Sequence, residues 1–225
     1  MDLASVRQWT TINTTLPEYP LPSNSERETI NTRRLTIRPF NDNRQDLEAI
    51  HTLRADPEMM RQNPQRKPDA DVEETYQKHF QRFIPPNDTK VLAYAICLTS
   101  TGECIGYGGG LGRDGSLGWP EVGYGIRRDL WGQGYATEFL EGFLGIWRRL
   151  PRSPVKLTVD ASTVHGDGEV KDECVVGITF HDHAASHRVL EKNEFQMCKA
   201  WEDKNPYDEN KVVRLYGWVA RRGNV

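Results

Sequence analysis

The chain has 225 residues, about one and a half times the length of an average domain of about 150 residues. Hydrophobic residues make up 37% of it and aromatic residues 9%, which suffices for a packed core and argues against disorder of the whole chain. The net charge of −3 and the pI of about 6.1 provide no basic field for nucleic acid.

No membrane or export signal is visible in the sequence. No apolar run approaches the roughly 18 residues that a bilayer requires, and residues 1–20 lack the apolar segment of a signal peptide. The cysteines have no CxxC spacing, which argues against a zinc site or a disulfide framework. We expect a cytoplasmic monomer or homodimer with no membrane and no nucleic-acid partner.

The N-terminal 31 residues are polar and contain three closely spaced prolines. Pro17, Pro20 and Pro22 remove backbone donors and hold the chain extended, so no helix is expected there. We interpret residues 1–31 as an extended arm.

Ordered elements are predicted from Leu35 onward. Apolar and polar residues alternate over 35–40, which indicates a half-buried strand. Helical spacing follows over 46–60, where Pro57 is expected to end or bend the helix. A polar loop precedes a second amphipathic helix over 71–84.

The next segment has the pattern of strands. Three strands are predicted at 91–98, 104–111 and 121–127, and the first two are joined by a glycine-containing turn. Two successive hairpins indicate an antiparallel meander.

The strongest helical periodicity runs from Ala136 to Trp147 and is followed by a strand over 155–160. A strand, a helix and a strand in this order predict a crossover and a parallel or splayed pair.

The remainder is less regular. A polar loop and a short apolar segment, 175–180, precede a helix over 184–192 with Asp182 as its predicted cap. Strands are predicted over 195–201 and 212–219.

The Gly132-Gln133-Gly134 turn between strand and helix is suited to an anion. Free N–H groups and the helix dipole favour negative charge there, and glycines allow a phosphate to approach the backbone. Arg127 and Arg128 lie just upstream. A dinucleotide-binding turn requires a third glycine where Thr137 stands, and a P-loop requires a Lys-Ser/Thr pair. A tight turn without a ligand remains open.

The stretch 121–138 resembles the acyl-CoA-binding motif of the GNAT superfamily of N-acyltransferases. The family pattern Gln/Arg-x-x-Gly-x-Gly/Ala reads Trp131-Gly132-Gln133-Gly134-Tyr135-Ala136 in this chain, with Trp131 as a departure. Trp-Gly-x-Gly-Tyr-Ala-Thr is similar to the branch that includes ribosomal-protein N-terminal acetyltransferases.

Two further segments resemble that branch. The segment 185–195 is similar to its Ser…Val-Leu-Glu-Lys-x-Gly-Phe motif, but His183 replaces an Asn and Glu194 replaces the Gly. The opening 32–39 is also typical. The resemblance covers residues 32–220 and implies an α+β fold with a mixed, mostly antiparallel sheet of about seven strands, a splayed parallel pair and about four helices.

The resemblance implies acetyl-CoA as co-substrate and transfer of its acetyl group to a primary amine of a small molecule or peptide by direct attack. It implies that one strand pairs with the pantetheine arm and that the turn holds the phosphates. The cofactor-binding residues implied are Tyr124, Gly125, Ile126, Arg127, Arg128, Gly132, Gln133, Gly134, Tyr135, Ala136, Thr137 and Ser186.

Three residues are candidates for the chemistry. The tyrosine that many members use as acid is replaced by Leu190, so Ser186 is the candidate for hydrogen bonding to the sulfur. Glu121 is the candidate base, ahead of Asp160, and His183 is a second candidate because imidazole titrates near neutral pH. The alternatives are that Ser186 is an ordinary serine on a helix surface and that Glu121 is an exposed charge at the end of a strand.

Two broader alternatives stay open. His181, His183 and His187 invite a metal site, but no fourth ligand is fixed, so no metal is expected. The departures at His183, Leu190 and Glu194 leave a catalytically degenerate acyl-CoA-binding or scaffolding protein as the second hypothesis.

The predicted domain organisation is one N-acetyltransferase domain with additions. It comprises the arm 1–31, the domain 32–220 with an insertion at 161–182, and a tail at 221–225. We expect the arm and the insertion to pack beside the acceptor side of the cleft.

Overall fold

The computed structural model describes residues 6–63, 67–110, 112, 115–205 and 208–222, with side chains for all of these except 208–210. The helices are α1 (Arg44–Arg54), α2 (Pro57–Arg61), α3 (Val72–Lys78), α4 (Tyr135–Arg149) and α5 (Ala184–Lys192). The strands are β1 (Trp9–Pro17), β2 (Ile30–Asn31), β3 (Leu35–Arg38), β4 (Leu92–Leu98), β5 (Cys104–Gly110), β6 (Val122–Ile126), β7 (Arg152–Asp160), β8 (Cys174–Phe180), β9 (Gln196–Asn205) and β10 (Asp208–Arg221).

The chain forms two compact units. The first unit contains residues 1–18, 111–122 and 147–225, and the second contains residues 19–110 and 123–146. The described strands form a two-stranded sheet, β1-β7, a three-stranded sheet, β8-β10-β9, and a five-stranded sheet, β2-β3-β4-β5-β6. The predicted mixed α+β class is confirmed, although the strands outnumber the seven or so expected.

The five-stranded sheet belongs to the second unit and contains the predicted meander. β3 pairs antiparallel with β4, and β4 with β5. The turn between β4 and β5 closes with the N–H of Gly102 donating to the carbonyl of Leu98 at 2.8 Å, and the φ of +73° at Gly102 explains the glycine.

The early helices differ from the predicted ones in length. The region 46–60 contains two helices, because the Asp56 side chain caps a new helix that opens with Pro57. The second predicted helix, 71–84, ends earlier: α3 stops at Lys78, and a single 3₁₀ turn follows at Phe80–Arg82.

α4 is amphipathic, as its periodicity predicts. Phe139, Leu140 and Phe143 are fully buried, and the rings of Phe139 and Phe143 stack at 5.9 Å. Gly108 of β5 leaves room for this face, since a Cβ there would lie 2.5 Å from the Phe139 ring. Burial of this apolar face therefore holds α4 against the sheet.

Part of the N-terminal arm forms the strand β1 in the first unit. β1 pairs antiparallel with β7 along its whole length, from Trp9 opposite Asp160 to Pro17 opposite Arg152. Alternate residues of β1, including Ile12 and Leu16, enter the apolar core around Trp119.

The sequence predicted the strand at 155–160 as the parallel partner of the strand before α4, and this prediction was wrong. The strand at 155–160 belongs to β7 and pairs with β1 instead, because the arm supplies a complementary alternating strand. Glu121, directly before β6, forms its parallel bridge with Val176 of β8.

The C-terminal elements agree with the prediction in order but not in every detail. α5 has the predicted bounds, whereas β9 and β10 extend well into the segment between the two predicted strands, 202–211. The predicted cap was wrong: His183 occupies the N-cap position, and no side chain caps α5.

None of the helices in the described part of the chain is long and apolar enough to cross a bilayer.

Candidate active site

The turn before α4 is held in shape by hydrogen bonds among its own residues. Residues Arg128–Leu130 form a 3₁₀ turn after β6, and the Trp131 indole Nε1 donates to the carbonyl of Ile126 at 2.6 Å. The helical hydrogen bonds begin with the N–H of Glu138 donating to Gly134 at 3.1 Å. The first N–H groups of an α-helix have no acceptor in the preceding turn of the helix, so a helix start of this kind is suited to an anionic ligand.

The two glycines give this turn its shape and leave it open. Gly132 and Gly134 have φ values of +75° and +85°, which favour glycine. A Cβ on Gly132 would meet no atom within 4 Å, and one on Gly134 would come no closer than 3.4 Å to an atom, the Nη2 of Arg34. The backbone at these two glycines is therefore not covered by neighbouring atoms, and the residues present suit the pyrophosphate of an acyl-CoA.

The two arginines upstream of the turn already have carboxylate partners. Arg127 bonds Glu103 and, at 2.7 Å, Asp129, and these hydrogen bonds raise its pKa. Arg128 pairs with Asp56 at 3.0 Å on an exposed surface. A phosphate would have to exchange or share these partners.

The strand before the turn has a free edge and a tightly packed face. β6 is the last strand of the five-stranded sheet, so in the described residues one of its edges lies unpaired within that sheet. A Cβ on Gly125 would lie 3.1 Å from the Met59 Cε and 3.8 Å from Leu53, which brings α1 and α2 against this strand. The edge can accept an extended ligand by backbone pairing, as a strand does.

A buttress of the turn was missed by sequence reasoning. The Glu138 carboxylate in the first turn of α4 accepts from Thr32 Oγ1 at 2.6 Å and from both the backbone N and the Nε of Arg34 at 2.7 Å. The opening motif Thr-Arg-Arg-Leu was the signal that could have indicated it.

Glu121, the candidate base, lies in the first unit where the chain enters β6. Its side chain is half-buried, and its Oε2 accepts from the Ser116 N–H at 3.0 Å. Burial raises the pKa of Glu121 above its ordinary value, and the hydrogen bonds from Ser116 only partly oppose this. A carboxylate with a raised pKa is a stronger base, which suits proton abstraction.

Ser186 and His183, also in the first unit, lie at the N-terminal end of α5. Both are half-buried. The neighbouring His187 donates through Nε2 to the carbonyl of Phe180 at 3.0 Å, and its ring contacts Tyr216 and Trp218 at centroid distances of 5.4 and 5.3 Å. His187 is therefore engaged in packing. Among the described residues, no group of three or more His, Cys, Asp and Glu side chains could hold a metal ion.

Asp160, the weaker base candidate, is part of a buried ion pair. It lies 3.0 Å from the Lys199 Nζ, and both side chains are more than nine-tenths buried. Burial acts to raise the pKa of Asp160, but hydrogen bonds from Ser162 and the ion pair outweigh it and hold the pKa below its ordinary value. Asp160 is thus a poor base.

The structure shows the surroundings of two of the three departures in the α5 motif, Leu190 and Glu194. Leu190 is 1% exposed and packs against Gly177, where a Cβ would lie 3.1 Å from it. Glu194 follows the end of α5 with φ of +63°, and it is the one non-glycine residue with positive φ among the described residues. The motif's glycine is therefore the residue that this backbone favours.

We predict that Glu194→Gly stabilises the protein. A side chain in the left-handed region costs about 1–2 kcal/mol, and a glycine removes most of that cost at a helix end. The free energy of unfolding, measured by urea denaturation, should rise by about 0.5–1 kcal/mol after the entropy of glycine in the unfolded chain is deducted. Glu191→Gly, inside α5, is the control and should destabilise instead. A loss of stability in Glu194→Gly would contradict the prediction.

Comparisons with known proteins identify the family of this chain. The model of the acetyltransferase (GNAT) domain family matches residues 34–196, so the chain belongs to the GNAT acetyltransferase family. The sequence matches no curated protein.

Solved structures show the same fold at low identity. A GNAT-family acetyltransferase from Bacillus anthracis is 18% identical with a TM-score of 0.64, over 87% of this chain and 99% of that one. The ribosomal-protein-S5-alanine acetyltransferase from Vibrio fischeri is 11% identical with a TM-score of 0.62, over 88% and 98%. The spermidine N-acetyltransferase from Vibrio cholerae, in complex with CoA and spermine, is 12% identical with a TM-score of 0.62, over 85% and 97%.

Proposed function

We propose that the protein is an acetyl-CoA-dependent N-acetyltransferase that acetylates a primary amine of a small molecule or peptide. The observation that carries this proposal is the open Gly132-Gln133-Gly134 turn at the N-terminus of α4, in a chain of the GNAT family. Acetyl-CoA would supply an activated thioester. The protein has to bind it, orient the amine and move protons.

The cofactor-binding residues divide into three groups in this proposal. Backbone N–H groups from Gly132, Gln133, Gly134, Tyr135, Ala136 and Thr137 would hold the pyrophosphate. The outer edge of β6, the last strand of the five-stranded sheet, would pair at Tyr124, Gly125 and Ile126 with the pantetheine arm, and an N–H near Ile126 would polarise the thioester carbonyl. Arg127 and Arg128 would contribute charge toward further phosphates.

Glu121, Ser186 and His183 are the residues that we propose for the proton transfers. Glu121 would take the proton of the amine, directly or through water, and its raised pKa supports this role. Ser186 would hydrogen-bond the sulfur of the leaving thiolate. His183 is the alternative base, and its half-buried place at the start of α5 is compatible with contact to a ligand.

The acceptor is expected to be chosen by the additions to the core. The arm and the insertion lie together: the Lys171 N–H donates to the carbonyl of Asn13 at 2.8 Å, and Thr14 Oγ1 to the carbonyl of Lys171 at 2.9 Å. Peptide N-termini and polyamines are the first acceptors to test. Two proteins of similar fold are named as a ribosomal-protein-S5-alanine acetyltransferase and a spermidine N-acetyltransferase. The motif around Trp131 favours the ribosomal-protein branch.

The test of this function is a thiol-release assay with acetyl-CoA and a panel of peptides, polyamines, amino sugars and small amines. We expect release that depends on one acceptor class, together with CoA binding in calorimetry. CoA binding without turnover on any acceptor would favour the degenerate acyl-CoA-binding protein. Absence of CoA binding would overturn both.

A further inference from the structure

Arg34 reaches the glycine turn from the segment between β2 and β3. Its Nη1 donates to the carbonyl of Gln133 at 2.9 Å, its Nε pairs with Glu138 at 2.7 Å, and its guanidinium lies 4.4 Å from the centre of the Tyr135 ring. The guanidinium is therefore fixed before any ligand arrives, and little side-chain entropy is lost on binding.

The remaining edge of this guanidinium faces the turn. An ideal Cβ on Gly134 would lie 3.4 Å from Nη2, so Nη2 stands beside the backbone that would receive a phosphate. A guanidinium has five N–H donors, and the bonds to Gln133 and Glu138 engage only the Nη1 and Nε sides. The Arg34 side chain is 32% exposed, which makes it accessible to a ligand from solvent.

Arg34 also offsets negative charge that would oppose a phosphate at this turn. Glu138 is ionised in the first turn of α4, where it would repel a phosphate. Burial acts to raise the pKa of Glu138, but the hydrogen bonds from Thr32 and Arg34 lower it below its ordinary value. Arg34 offsets this negative charge and binds the Gln133 carbonyl, whose oxygen would also oppose an anion.

We propose that Arg34 is a phosphate-contacting residue, with its Nη2 donating to the pyrophosphate of CoA beside Gly134. This inference rests on the proposed function, because it requires that the turn binds CoA. Charge-assisted hydrogen bonds from arginine to phosphate are short and strong, and the fixed fork of Arg34 allows one without breaking its existing bonds.

The test is calorimetric titration of CoA and dephospho-CoA into wild type, Arg34→Gln, Glu138→Gln and the double variant. Arg34→Gln should weaken both ligands equally, by about 10- to 30-fold, because both carry the pyrophosphate. The penalty should persist in the Glu138→Gln background, because the contact is made to the ligand. Arg33→Gln is the matched control: this exposed neighbour loses the same charge and should change affinity by less than about three-fold.

A second readout separates an effect at the phosphate-binding turn from an effect on the rest of the active site. Acetyl transfer from S-acetylpantetheine, which lacks the pyrophosphate, should have the same kcat/KM in Arg34→Gln and wild type. If Arg34→Gln does not fold, Arg34→Lys keeps the charge without the fork and should weaken CoA binding about 3- to 10-fold.

Several results would overturn the inference. A penalty that vanishes in the Glu138→Gln background would mean that Arg34 only offsets that carboxylate. A loss confined to CoA would place the contact at the 3′-phosphate, and a loss with S-acetylpantetheine would show a scaffolding role. Wild-type protein that does not bind CoA would instead defeat the proposed function, and this inference with it.

Discussion

Lys199→Met is expected to lower the free energy of unfolding by about 3–5 kcal/mol, because it leaves the Asp160 carboxylate buried without its cation. Asp160 is fully buried, and its ion pair with Lys199 is supported by hydrogen bonds from the N–H and Oγ of Ser162 at 3.0 and 2.7 Å. Two hydrogen bonds from Ser162 do not replace a positive charge in a site that water does not reach.

The measurement is urea denaturation followed by tryptophan fluorescence, which reports mainly on the first unit. That unit contains Trp9, Trp119, Trp147, Trp201 and Trp218, whereas only Trp131 lies in the second. Lys156→Met on the exposed face of β7 is the matched control and should change the free energy of unfolding by less than about 0.5 kcal/mol.

A second variant identifies the cause. Asp160→Asn in the Lys199→Met background removes the unpaired charge and should recover a large part of the loss. The stability that the ion pair provides to wild type should disappear as the pH falls through the lowered pKa of Asp160, since a depressed carboxyl pKa stabilises only above the unfolded value. Equal stability of Lys199→Met and Lys156→Met would contradict the buried-charge argument.

Features that are determined by residues close together in the sequence were predictable. α4 follows from apolar residues at helical spacing, and the turn before it follows from two glycines, each of which the backbone holds at positive φ. α5 likewise has the predicted bounds. Hydrophobic period and glycine chemistry act within a few residues, so a single sequence is enough to read them.

Features that depend on distant residues were not predictable. The pairing of β1 with β7 joins residues 135 to 151 positions apart, from Pro17 with Arg152 to Trp9 with Asp160. The proline-rich arm has no strong strand signal of its own, and burial of Ile12 and Leu16 against Trp119 decides its conformation. Strand pairing is a tertiary outcome, which local propensity describes poorly.

Electrostatic partners at the site were hidden for the same reason. Arg34 and Glu138 are 104 residues apart. The Thr-Arg-Arg-Leu motif draws attention to Arg34, but it does not identify Glu138 as the partner. Asp160 was a base candidate by its position at a strand end, yet the structure pairs it with Lys199 and leaves Glu121 as the carboxylate with the raised pKa. A candidate acid or base is therefore defined by its surroundings more than by its place in a motif.

The largest effect on activity is expected from Glu121→Gln. If Glu121 removes the proton of the amine, its loss should lower kcat by about 100-fold or more, since general bases contribute about 10²- to 10⁴-fold. Gln retains an oxygen that can accept from the Ser116 N–H, so the local bond at 3.0 Å can persist. The measurement is thiol release with the best acceptor of the panel, across pH. In wild type, kcat/KM should rise as the pH increases through the raised pKa of Glu121, and the variant should lack that limb.

The same substitution should stabilise the protein, which distinguishes catalysis from scaffolding. Burial raises the pKa of Glu121, so its contribution to stability is full below the unfolded pKa and is lost as the pH rises through the folded one. At neutral pH the wild type therefore carries the cost of a partly buried charge, and Glu121→Gln should unfold at a higher temperature while it works more slowly. Glu191→Gln, on the exposed side of α5, should change neither property. An active Glu121→Gln variant with an unchanged pH profile would transfer the role of base to His183 or to water.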